Sequence, residues 1–262
     1  MELELKGRVA VILAASKGLG RACAMSLAAE GCQVAICSRD QGQIDKTAAE
    51  IMEKTGANVI AAAADVGEPE DIRKFIRDVL KKWGSINILV NNAGGPPVRS
   101  FEETDDEEWH RWFDITFMSV VRAVKEVLPV MKKAGGGRII NITSVSVKEP
   151  IAGLVYSNAL RLGVVGLAKT LANELGPSGI TVHNVAPGYY RTDGLERIVV
   201  NRMKKGEARN AIYRQWKQIT PLRKIGDPEE LAALVTFLAS GKSGYMTGTT
   251  IQVDGGRIAS VM

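Results

Sequence analysis

The stretch VAVILAASKGLGRACAMSLAAEGCQVAICSR, residues 9–39, decides how the rest of the chain reads. Val9–Ala15 is a continuous apolar run, as expected of a strand covered on both faces. Gly18–Glu30 then repeats its apolar residues at helical spacing and stops at Gly31, where a helix end favours a residue that tolerates left-handed backbone. Gln33–Ser38 is a second apolar run. A strand, a crossover helix and a second strand at this pitch make a parallel βαβ unit.

The same alternation extends to the end of the chain. Helix Gln43–Thr55 is ended by Gly56, followed by strand Val59–Ala64, helix Glu68–Trp83 and strand Ile86–Val90. Residues 107–133 carry one long helical pattern, then come strand 138–143, helix 154–175 and strand 180–185. An irregular basic stretch leads to helix 228–239 and a last strand, Thr250–Val253. The expected fold class is α/β, a doubly wound parallel sheet of about seven strands with helices on both faces. No linker, repeat or low-complexity segment interrupts residues 1–262, so a single domain is expected.

Composition narrows the function classes. The 262 residues are 45% hydrophobic and 24% charged, which excludes disorder, collagen-like repeats and coiled coil. The net charge of +5 is local: nine Lys/Arg and two acids lie between Glu196 and Lys224, leaving the remainder slightly acidic. That argues against a nucleic-acid partner. No uncharged run reaches the ~18 apolar residues of a membrane span, and residues 2–8 lack the basic-then-apolar order of a secretory signal. Cys23, Cys32 and Cys37 match no metal or redox spacing, and read as buried thiols in a reducing, cytoplasmic compartment. With only His110 and His183, no metal site is expected and a Ser-His-Asp triad has little material.

The turn Ser16-Lys17-Gly18-Leu19-Gly20 follows the first strand and opens a helix. Glycines there let backbone N–H groups approach a pyrophosphate, and the helix N-terminus adds a favourable dipole. The second strand ends at Ser38-Arg39, where a dinucleotide's adenosine ribose would lie. Arg39 and Lys17 favour a 2′-phosphate, hence NADP(H) over NAD(H). The competing reading makes Arg39 a solvated charge and lets Asp40 select NAD.

From these residues onward the chain resembles the short-chain dehydrogenase/reductase family, and within it the 3-oxoacyl-carrier-protein reductases. The resemblance is carried by the nucleotide turn, Asp65-Val66, Asn91-Asn92-Ala93-Gly94 and Asn141-Ile142-Thr143-Ser144. Tyr156 opening a helix, Pro187-Gly188-x-x-x-Thr192, Gly226-x-Pro228-Glu229-Glu230 and Val253-Asp254-Gly255-Gly256 complete it, in the family's order. It implies a Rossmann-like sheet, a nicotinamide cofactor, and a homotetramer or homodimer built on helices 107–133 and 154–175. It also implies that Asp65 and Val66 border the adenine, and that Asn92, Ala93 and Gly94 line the passage toward the nicotinamide. Pro187, Gly188 and Thr192 would hold the carboxamide, Ser144 would hydrogen-bond the substrate oxygen, and Tyr156 would exchange its proton.

Two departures bear on the chemistry. The family places Lys four residues after Tyr, and here that position is Leu160. It places Asn in the long helix where this chain has Thr116. A milder change puts Ala14 at the first glycine of the turn. Arg161 is the nearest substitute cation, but position i+5 lies about 140° around a regular helix from Tyr156, against 40° for i+4. Its role is therefore open between catalysis and a surface or intersubunit ion pair, with Lys148 the other candidate. With no cation beside it, Tyr156 is expected to titrate near the ordinary value of about 10, so alcohol oxidation would rise toward alkaline pH.

A substrate flap is expected at about 193–220, carrying Arg197, Arg202, Lys204, Lys205, Arg209, Arg214 and Lys217 with Tyr213 and Trp216 as aromatic surface. This is either a solvated helical face or an attractor for an anionic or carrier-bound substrate. Two functions remain: hydride transfer between NADP(H) and a carbonyl or secondary alcohol of 3-oxoacyl thioester, ketone or sugar type, or an NADP-binding pseudoenzyme with a regulatory or structural role.

Overall fold

The computed structural model describes residues 2–260. Its strands are β1 (Val9–Ile12), β2 (Gln33–Ser38), β3 (Val59–Ala63), β4 (Ile88–Asn91), β5 (Gly137–Ile142), β6 (Ile180–Pro187) and β7 (Thr249–Val253). All pair in parallel in one sheet, ordered β3-β2-β1-β4-β5-β6-β7. The helices are α1 (Gly18–Ala29), α2 (Gln41–Thr55), α3 (Pro69–Trp83), α4 (Asp106–Phe113), α5 (Ser119–Lys133), α6 (Val155–Leu175), α7 (Asp193–Lys204), α8 (Arg209–Gln218) and α9 (Pro228–Ala239). This is the doubly wound, Rossmann-like sheet anticipated from the alternation of runs.

The two-residue period of a strand divides β1 between two cores. Ala10 and Ile12 pack with Leu27 of α1, Ile44 of α2 and Leu231 of α9. Val9 and Val11 face the other way, with Phe75 of α3, Val124 of α5 and Val164 of α6. Each core seals one face of the sheet, which is why the strands read as unbroken apolar runs rather than alternating ones.

Polar order runs through the sheet as well. Asn91, Asn141, Asn184 and Thr250 stand opposite one another on β4 to β7. Each asparagine amide donates to the next residue, at 2.8, 3.0 and 3.1 Å. This ladder links three buried asparagines across four strands and ends at Asn91, the last residue of β4, on the carboxyl edge beyond which a doubly wound sheet binds ligands.

The single helical pattern expected over 107–133 is divided. Asp114–Met118 form one π-helical turn between α4 and α5, a widening that redirects side chains and recurs at functional sites. The turn buries Thr116. Beyond β6, α7 and α8 enclose a small core of their own around Leu195, Val199, Ile212 and Trp216. Trp216 is buried and stacks on Tyr189 at 4.8 Å, so it is not the aromatic surface the sequence suggested. Among the described residues no helix is long and apolar enough to cross a membrane.

Candidate active site

Strand order reverses between β1 and β4, and there a cleft of about 660 Å³ opens along the carboxyl edge. That volume suits a cofactor or small ligand. Ser38, Arg39, Asp40, Asp65 and Val66 line one end; Ser16, Lys17, Gly18 and Leu19 lie along it with Asn92, Ala93 and Gly94; Ile142, Thr143, Arg161, Pro187 and Thr192 line it too.

The first turn is built for an anion. Lys17 precedes α1 with no side-chain cap, and the first turn of that helix holds no acid. Its N–H groups and dipole therefore have no protein carboxylate competing for them. Asn92 pins the turn from beneath, donating to the carbonyls of Leu13 and Ala14 at 3.2 and 3.0 Å. Gly20 lies below the cleft lining, where an added Cβ would sit 2.8 Å from the Ala14 carbonyl oxygen. Ala14 itself takes φ of 47°, a left-handed conformation that glycine would adopt more cheaply.

At the ribose end, Asp40 caps α2 by accepting from the Gln43 N–H at 2.9 Å. The Ser38 hydroxyl donates to the Asp40 carbonyl at 3.0 Å. Arg39 is exposed on the cleft lining. Asp65 accepts from the Gly67 N–H at 2.9 Å. Across the cleft, Lys17 meets Asp193 at 3.3 Å in an exposed ion pair, and α7 adds Arg197 to the lining. Thr192 caps α7, accepting from the Leu195 N–H at 3.2 Å. Gly188 is not in the lining; it lets the chain pass Asp254, whose Cα an added Cβ would approach to 2.8 Å.

The largest departure from expectation lies at the start of α6. Tyr156 is fully buried and does not line the cleft. Its hydroxyl donates to Glu108 of α4 at 2.8 Å, and its ring meets Trp109 edge-on at 4.7 Å. Burial, together with the Glu108 carboxylate, pushes the phenol up to about 12. Glu108 also pairs with Arg99 at 3.6 Å, so Tyr156 ties α6 to α4 and to the loop before it.

Arg161, whose role the sequence leaves open, reaches the cleft lining. It is only 8% exposed, and one guanidinium N–H donates to the Ile142 carbonyl at 2.9 Å. No carboxylate pairs with it among the described residues. Burial lowers it to about 10, which leaves it charged at neutral pH. Arg161 lines the cleft, and Tyr156, about 140° around the same helix, points elsewhere. The residue one turn before Arg161 on its own face is Ser157. Its hydroxyl meets that of Ser146 at 3.1 Å, and the Ser146 N–H donates to Ser144 Oγ at 3.1 Å. Ser157 and Arg161 share the four-residue spacing that the resemblance implies for Tyr and Lys, but Ser157 does not line the cleft.

Leu160 and Lys148 do not line the cleft. Behind Arg161 a pocket of about 10 Å³ is lined by Asn91, Thr116 and Asn141. Asn91 Oδ1 and Thr116 Oγ1 are buried there without a hydrogen-bond partner. Trp112 and Ile115 also line the main cleft and left no sequence signal, and Arg197 of the basic flap cluster lines it as well. Elsewhere in that cluster Arg202 pairs with Glu207 and Arg209 with Glu196.

Comparison with known proteins agrees with this fold. Residues 13–257 match the family model described as enoyl-(acyl carrier protein) reductase. The chain is 35% identical over 256 residues to a 3-oxoacyl-[acyl-carrier-protein] reductase of Synechocystis, covering 97% of this chain and 98% of that protein. It is 32% identical over 253 residues to the human dehydrogenase/reductase SDR family member 4, covering 96% and 88%. L-sorbose reductase from Gluconobacter frateurii, solved with NADPH and L-sorbose, superposes with a TM-score of 0.96 over all of both chains at 29% identity.

Proposed function

The chain belongs to the short-chain dehydrogenase/reductase family of NAD(P)-dependent oxidoreductases, and from that premise we propose that it uses NADP(H) to interconvert a carbonyl and a secondary alcohol on a small substrate. One observation carries the reading: a single cleft joins an uncapped helix N-terminus to a buried, unpaired cation. An unpaired buried charge costs several kcal/mol, and such a cost is retained where the charge acts on a ligand.

The residues present fit the cofactor. Ser16, Lys17, Gly18 and Leu19 would hold its pyrophosphate, Asp65 and Val66 its adenine, and Pro187 and Thr192 its carboxamide. A bound nicotinamide supplies or accepts the hydride. Arg161, on the cleft lining, would direct a hydrogen bond at the substrate oxygen and favour negative charge there; Ser144, the hydroxyl that the resemblance implies for this role, lies just outside the lining. Substrates of ketone, 3-oxoacyl or sugar type agree with the relatives' activities, and Arg197 is the flap cation placed to meet an anionic group. Exposed Phe113 and Leu162 on α4 and α6 support self-association through those helices. A second reading, a cofactor-binding protein without turnover, draws on the sequestration of Tyr156; turnover that depends on Arg161 would eliminate it.

Preference for NADP(H) rests on Arg39 being free while the Asp40 carboxylate is engaged as a cap. Titrating NADPH and NADH against the protein's tryptophan fluorescence tests this. Wild type should bind NADPH at least 10-fold tighter, and Arg39→Ala should remove most of that difference. Equal or tighter NADH binding in both proteins would contradict it.

A further inference from the structure

Arg257, just beyond β7, is a charge without a partner. Its Nε and Nη1 are sealed from water and have no hydrogen-bond acceptor among the described residues. The side chain as a whole stays part-exposed, which leaves an approach for a ligand. The nearest acid along the chain, Asp254, is turned to the backbone, accepting from the N–H groups of Gly256 and Ile258 at 2.9 Å each. What the guanidinium meets instead is a ring: it lies 5.2 Å from the centroid of Tyr189, which stacks on Trp216. A guanidinium is always charged and carries five donors. Sealing two of them away without an acceptor is costly, and a contact with a ring face offsets only part of that cost. The neighbours place this cation. Ile258 packs with Val145 and Ala186, and with part-buried Val147 and Ile151. Val145 follows Ser144, and Ala186 precedes the cleft-lining Pro187. Arg257 therefore stands beside the substrate end of the cleft, outside the lining that would hold the cofactor.

Resting on the carbonyl–alcohol chemistry proposed above, we propose that Arg257 is a specificity-determining residue, the anchor for a carboxylate that the substrate carries away from the carbon exchanging hydride. The planar fork of a guanidinium matches the two oxygens of a carboxylate. One uncompensated positive charge also matches one negative charge, whereas a phosphate monoester brings nearly two. The other cation of the same aromatic stack, Arg202 over Trp216, is already paired with Glu207. Val145, Val147, Ile151 and Ile258 form an apolar wall that suits the carbon chain between carboxylate and carbonyl. The Tyr189 ring steadies the guanidinium plane, so little order remains to be lost when an acid binds. A neutral ketone of the same length leaves the sealed donors unpaired, and the discrimination comes from that unmet need. Arg257 acts on the remote end of the substrate as a positioning residue, and its effect belongs in KM rather than in kcat.

Three oxo acids test this: 4-oxopentanoate, 5-oxohexanoate and 6-oxoheptanoate, each beside its uncharged methyl ester. Calorimetric titration measures their binding to the protein alone and to the protein saturated with NADP⁺, which has no hydride to give. In wild type at least one acid should bind about 10-fold tighter than its ester. Arg257→Met should cut that preference to below about 3-fold while leaving the ester's affinity unchanged, which shows the fold intact. Arg257→Lys should keep part of the preference, and Arg197→Met, which removes the flap cation of the cofactor cleft, should keep all of it. No acid preferred over its ester in either state, or a preference that survives Arg257→Met, would overturn the carboxylate anchor. So would a preference lost in Arg197→Met alone. Failure to take up NADP⁺ would overturn the cofactor reading instead, and the titration without cofactor still decides the anchor. With NADPH the same pairs give a kinetic readout: the acid's advantage should lie in KM, with kcat within about 3-fold of the ester's. An advantage confined to kcat would overturn the remote placement of Arg257.

Discussion

Arg161 and Tyr156 sit five residues apart on α6 and carry opposite signatures. Arg161 is a buried cation with no acid to pair with among the described residues, and Tyr156 is a buried phenol whose hydroxyl is satisfied by Glu108. Exchanging an uncompensated buried charge for an apolar side chain of similar length is often neutral or stabilising, by about 1–4 kcal/mol. Removing a hydrogen-bond donor from a carboxylate costs about 1–3 kcal/mol. Without added cofactor, Arg161→Met is therefore expected to melt at or above the wild-type temperature, and Tyr156→Phe several degrees below it. A thermal denaturation series measures both, and the reverse order would remove the distinction drawn between them. The sequence leaves this pair ambiguous for a physical reason. A tyrosine and a serine in adjacent positions lie about 100° apart on a helix, so a one-residue error in register exchanges the cleft face for the α4 face.

At the scale of elements, the strands and most helices were legible to within about three residues because both faces of the sheet are covered, so apolar runs and helical spacing carry the signal; α7 and α8 read only as an irregular basic stretch. The π turn at 114–118 was not, since its residues keep helical periodicity on either side. Nor were the small core under α7 and α8 and the Asn91-Asn141-Asn184 ladder, which depend on pairing between distant strands. The strand β6 holds a further buried polar group, His183, whose Nδ1 meets the Thr249 hydroxyl at 2.9 Å while Nε2 has no partner. Burial, reinforced by Arg138, lowers it to about 4. An unfolded histidine binds its proton near pH 6.5, so between pH 6.5 and 4 the unfolded chain holds one proton more. Stability is full above that window and is lost as pH falls through it, by about 2 kcal/mol between pH 7 and 5. Urea unfolding at the two pH values should show this loss, and His183→Asn should flatten it. An equal loss in both proteins would assign the pH dependence to other groups. The carboxylate of Glu50, held down to about 2 by Arg21 and Lys54, acts only at lower pH.

On the whole-molecule scale, the fold brings the two ends of the chain's chemistry into one cleft. β1 and β2 deliver an uncapped helix N-terminus and Arg39, while β5, β6 and α6 deliver Ile142, Pro187 and Arg161. The cofactor half was readable because its motif is local, a strand, a turn and a helix within residues 9–39. The substrate half was readable only in part, because it depends on which face of α6 turns inward, and the packing of Tyr156 on Glu108 and Trp109 decides that. The basic surplus read either as a solvated face or as an attractor for an anionic substrate. It resolves into flap ion pairs, one flap arginine on the cleft lining, and a buried cation outside the cluster. The most direct test of the account is the turnover number for NADPH-dependent reduction of the best substrate in a panel of ketones, β-keto esters, enones and sugars, in Arg161→Met and Tyr156→Phe side by side. The account predicts a loss of at least 100-fold in Arg161→Met and less than about 3-fold in Tyr156→Phe, a gap of roughly 2 kcal/mol or more in transition-state stabilisation. Turnover abolished by Tyr156→Phe and retained by Arg161→Met would contradict it.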